Sequence, residues 1–178
     1  MKKIILVFSV SILTLSAYSQ FTFIGLKAGA GFTIVDIEEA VGWNDLEDWD
    51  NFGAMFKAVA GYRLNNQMKL VGEVGSNRLY YWEHLSYYGY YQWRAEWTTN
   101  LNVFINLDLG KKAYFLAGGG IHAFNDGSGV VPGLATELGY IIKEEKAFSI
   151  PITFRVESVF GNALPVSILL GTGFNYHL

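Results

Sequence analysis

Along residues 91–109, Tyr91, Trp93, Ala95, Trp97, Leu101, Val103, Ile105, Leu107 and Leu109 hold odd positions, while Gln92, Arg94, Glu96, Asn100, Asn102, Asn106 and Asp108 hold even ones. Side chains on a strand alternate faces, so this period of two predicts one long strand with an apolar and a polar face. A helix would scatter both sets around its axis. The same alternation predicts strands over residues 23–35, 52–64, 68–82, 113–124, 133–142, 148–160 and 165–178. In the fifth of the eight, Ala and Gly occupy both sides, and Phe115, Ala117, Gly119 and Ile121 are assigned to the apolar face. Pro151 fits its strand only where no ladder donor is required.

The connections split into two sets. Those at 65–67, 110–112 and 143–146 are short; those at 36–51, 84–90 and 125–132 are longer and hold the acidic, aromatic and glycine-rich segments. Eight strands with such connections predict an all-β fold, an eight-stranded antiparallel up-and-down barrel.

Composition bears on where such a barrel resides. Residues 1–19 read as a signal peptide, with Lys2 and Lys3, an apolar run, and Ala17-Tyr18-Ser19 as the cleavage site; the barrel domain is then 20–178. Losing Lys2 and Lys3 moves the formal charge from −3 to about −5. An acidic chain with no basic cluster does not suit nucleic acid. The absence of cysteine excludes a disulfide-stapled secreted scaffold and a lipid-bearing cysteine.

A soluble barrel that carries an apolar ligand turns its apolar face inward; a membrane barrel turns it outward. The polar face here is mostly Gly, Ser, Thr and Asn, which suits a narrow lumen better than a solvent-facing sheet. On the apolar face, Tyr62, Tyr140 and Tyr176 cluster toward one end and Tyr80, Trp82, Trp93 and Trp97 toward the other, the spacing of two interfacial girdles. The expectation is a transmembrane barrel with short periplasmic turns and longer outer loops.

With its signal peptide, its eight strands and a terminal strand reading VSILLGTGFNYHL, the chain resembles the small OmpA/OmpX-type outer-membrane barrels of Gram-negative bacteria over all of 20–178. The signal peptide followed by Gln20 resembles those of Bacteroidota. The resemblance implies outer-membrane lipid and lipopolysaccharide as surroundings. It also implies the barrel-assembly machinery as a partner, reached through the C-terminal strand. The family's last residue is usually aromatic; here it is Leu178, with Tyr176 two before it.

Candidate chemistry is sparse. Lys27, Lys57, Glu73, Arg94, Glu96, Glu137, Arg155 and Glu157 fall on the polar face and are expected to form a charge network that plugs the lumen, with Lys57 diagonal to Glu73 and Glu137 diagonal to Arg155. A proton or ion path is the alternative use of the same residues. The segment 45–50 has calcium-loop acids but lacks the turn glycine and the bidentate glutamate, so no metal site is expected. The aromatic segment 80–91 suits interfacial anchoring, or a host-surface or envelope ligand bound at the outer loops. His84, His122 and His177 are dispersed and show no His–Ser pair. The glycines at 118–120 lack the Lys-Ser/Thr of a phosphate loop. The expected protein is a monomeric, cofactor-free, non-catalytic barrel, with a lipid-modifying enzyme and a soluble apolar-ligand carrier as rivals.

Overall fold

The computed structural model describes residues 20–34, 52–85, 90–125, 127, 129–160 and 165–178, with the backbone alone over 79–85 and 90–96. All regular elements among them are strands: β1 (Phe21–Ile34), β2 (Phe52–Arg63), β3 (Met68–Leu85), β4 (Tyr90–Asp108), β5 (Ala113–Phe124), β6 (Val130–Glu144), β7 (Phe148–Val159) and β8 (Val166–His177). Each pairs antiparallel with its sequence neighbours, and β1 pairs β8 from Phe23↔His177 to Ile34↔Val166, which closes the barrel. Closure leaves the wall without the free edge that an open sheet would present.

The alternation sorts the side chains as expected, β5 included. Phe115, Ala117, Gly119 and Ile121 point outward, and His122 is buried on the opposite face. Along the outside, Leu26 and Leu170 are 66% and 64% exposed, whereas Arg155 in the lumen is 0% exposed. A wall this apolar belongs against hydrocarbon, so the barrel is a transmembrane one.

Two boundary expectations are corrected. In the segment 84–90, His84, Leu85 and Tyr90 are strand: β3 and β4 run on to the rung Leu85↔Tyr90, leaving four residues between them. Past Arg78 and Trp97 they pair, among the described residues, only with each other for seven rungs, a ribbon of roughly 20–25 Å. The loop at 125–132 is also shorter, because β6 begins at Val130 and carries Pro132 opposite Ile121. The segment 36–51, with its acidic cluster, lies outside the described residues.

Local chemistry fixes the turns and irregularities. Asn65 Oδ1 accepts from the N–H groups of Gln67 and Met68, each at 2.9 Å, which sets the β2–β3 turn. Pro151 falls where the β7–β8 ladder is interrupted between Ser149↔Asn175 and Ile152↔Thr172, and the Thr172 hydroxyl donates to its carbonyl at 2.9 Å. Glycine permits close approach of β5 to β4: a Cβ on Gly118 or Gly120 would lie 2.1 or 1.9 Å from the carbonyl oxygen of Val103 or Leu101.

Candidate functional site

The inward faces bring six charged side chains into the lumen, three of each sign: Lys27, Lys57 and Arg155 with Glu73, Glu137 and Glu157. Lys27 Nζ donates to Glu73 at 2.9 Å and to Glu137 at 2.7 Å. Arg155 Nη1 lies 2.7 Å from Glu73 Oε2 and 3.4 Å from Glu137 Oε2, while its Nε donates to Glu157 at 2.6 Å. Glu73 and Glu137 thus each bridge the same two cations. Arg155 serves all three carboxylates and stacks over the Phe104 ring at 5.0 Å. Paired charges are tolerated in a desolvated lumen; a lone one is not.

Register explains how the network assembles. Glu137 stands directly opposite Arg155, not diagonal to it, and the β6–β7 pairing shifts by one residue at a bulge between Ile141 and Lys143. Lys57 is diagonal to Glu73 across Val59↔Glu73, yet its ammonium donates to Asn100 Oδ1. Lys27 and Lys57 face each other on one rung, a repulsive arrangement that sends their side chains to different partners.

Residues not assigned to the charge network from the sequence complete the cluster. Asn77 donates to Glu157, Tyr114 Oη donates to Glu137 at 3.2 Å, and His122 Nε2 lies 3.6 Å from Glu157 Oε1. Apolar groups fill much of the remaining lumen. Val71, Phe104, Tyr114, Leu116 and Ala135 form one buried cluster, and Met55, Val159 and Leu169 are buried as well. All share the inward-facing period of their strands, the one signal that could have identified them.

The backbone places Arg94 and Glu96 on the ribbon. They occupy rungs Tyr81↔Arg94 and Leu79↔Glu96 of the β3–β4 ribbon, beyond the last rung β4 shares with β5, Thr98↔Phe124. Their side chains, and those of Tyr80, Trp82 and Trp93 on the same ribbon, lie outside the described residues. Trp97 stacks on Phe56 at 6.3 Å on the outer wall. At the short-turn end Tyr62 meets Phe21 edge-on at 5.6 Å, and Tyr140 and Tyr176 are 53% and 49% exposed. Phe32 and Phe52, paired on the outer wall at the long-loop end, extend the aromatic set beyond the tyrosines and tryptophans expected there.

No protein-family model matches the sequence, and no curated protein is similar to it. Solved structures are similar in fold. The outer-membrane protein Ail of Yersinia pestis, in a phospholipid bilayer nanodisc, aligns at a TM-score of 0.50 with 11% identity over 86% of this chain and 99% of Ail. Neisserial surface protein A aligns at 0.46 with 11% identity over 84% of this chain and 95% of that one. The fold is that of the small eight-stranded outer-membrane barrels.

Proposed function

We propose that the chain is a non-catalytic, monomeric outer-membrane protein of a Gram-negative bacterium, exported by residues 1–19, that acts by adhesion or interaction on its long-loop side. The observation that carries this reading is the filled lumen. Six charged side chains and a packed apolar cluster block the path a solute would take through the barrel. With the interior filled, the surface left for a partner is the outer one, and the β3–β4 ribbon is its largest described part. The C-terminal strand β8 presents Phe174 and Tyr176 outward, which suits recognition by the barrel-assembly machinery, and the apolar wall suits outer-membrane lipid and lipopolysaccharide.

The test is a binding comparison. Cells carrying the intact barrel, and cells carrying one in which residues 79–96 are replaced by a short turn, are applied to host-surface glycans, matrix proteins and envelope components. The intact protein should retain a partner that the trimmed one loses, while both show the same heat-modifiable gel mobility of a folded barrel. Equal retention by both would remove the ribbon from the function. Phospholipid turnover by the purified protein would contradict the non-catalytic reading.

A further inference from the structure

The short-turn mouth of the barrel opens into a cavity of about 490 Å³ below the charge network, within the range of small-molecule sites. Its wall is partly apolar, from Phe23, Val71, Leu116 and Ile141. Asn106 and Asn175 also line it and are only 5% and 8% exposed. The side-chain oxygen of each is buried and takes no hydrogen bond, so the polar end left for the cavity is the amide nitrogen, a donor.

The rim is cationic. Arg63 and Lys111 line the cavity and enter no ion pair among the described residues, whereas Lys69 is held by Asp108 at 2.6 Å. Of the lining carboxylates, Asp108 is thereby neutralised and Glu144 remains. The short-turn side as a whole carries Arg63, Lys69, Lys111, Lys112, Lys143 and Lys146 against Asp108, Glu144 and Glu145, although the chain is net −3. A concave, low-dielectric mouth with this balance concentrates anions.

We propose that this mouth binds a small organic oxyanion with an apolar body, a carboxylate or a phosphate ester, from the short-turn side. The unpaired guanidinium and ammonium meet the oxyanion at the rim, the two amide groups donate from the walls, and the apolar wall takes the body. The site is separate from the long-loop surface, and its occupancy does not depend on the ribbon.

The test is an NMR titration of the isotope-labelled barrel in zwitterionic nanodiscs with benzoate, phenyl phosphate and uncharged benzyl alcohol. Both anions should give saturable shifts at the Asn106 and Asn175 side-chain amides, and the tighter of the two identifies the head group. Benzyl alcohol should give none. Arg63→Gln and Lys111→Gln should each weaken binding about tenfold, the effect of one lost charge-assisted contact. Lys146→Gln removes the same charge from a turn that does not line the cavity, and should leave affinity within about twofold. If Arg63→Gln fails to refold, Lys111→Gln decides. An equal loss in Lys146→Gln, equal binding of benzyl alcohol, or shifts confined to exposed turn residues would overturn the site.

Discussion

The outer wall and the lumen of this barrel are made by the same strands, one residue apart, and they obey opposite rules. On β7, Ile152 and Phe154 are 48% and 45% exposed, while Thr153 and Arg155, each one residue further on, are 1% and 0% exposed. The wall is held by what surrounds it: lipid fills any gap, so no single outward side chain is demanding. Interior groups have only each other, so each charge and each packed ring depends on particular neighbours. A one-residue slip of any strand would exchange the two environments, so the charges in the lumen also fix register.

The sharpest way to break this comparison is to remove the hub of the interior. Arg155→Ala leaves Glu73, Glu137 and Glu157 without their common partner and should lower stability by about 3–5 kcal/mol. Urea unfolding in lipid vesicles reads the loss, and Arg155→Lys should recover part of it. An unchanged midpoint would mean the carboxylates do not need the guanidinium.

Packing separates the two regions next. Leu169→Ala, buried in the lumen, should cost about 2–5 kcal/mol, because the cavity it leaves has nothing to fill it. Leu101→Ala, on the outer wall, should cost about 1–2 kcal/mol, the transfer contribution alone. Equal costs in the same unfolding assay would deny that lipid relaxes around the wall.

Charge on the wall is the third contrast. Val103 is 49% exposed at mid-strand, and Val103→Arg should cost about 2–4 kcal/mol near the bilayer midplane. Unimpaired folding of that variant into lipid would reverse the assignment of faces. The smallest effect belongs at the rim, where Lys69 and Asp108 are paired at 2.6 Å but reach solvent. Lys69→Ala should shift stability by only about 0.2–1 kcal/mol, less at high salt.

The face of each residue with a described side chain was legible in the sequence because, within the membrane, the two faces meet different media and their chemistry must differ. Where a strand leaves the membrane that contrast fades. His84 and Leu85 therefore read as the start of a loop, although the backbone continues as a ribbon. Pro132 hid the start of β6 in the same way, since a proline reads as a break even at the first rungs of a strand. The lumen charges were legible as a set but not as pairs. Lys27 reaches Glu137 across the barrel from β1 to β6, a contact set by strand stagger, which leaves no trace in the alternation. His122 was passed over because the three histidines are far apart in the chain, yet its place on β5 with Tyr114 and Leu116 puts it beside Glu157.

Conductance across a planar bilayer tests the central claim most directly, because a filled lumen and an open one differ in current before any partner is known. The unmodified barrel should give no steady single-channel current, since Arg155, its three carboxylates and the Phe104 cluster occupy the lumen together. Large, stable current steps from the unmodified protein would contradict the plug and, with it, the view that this barrel works from its outer surface.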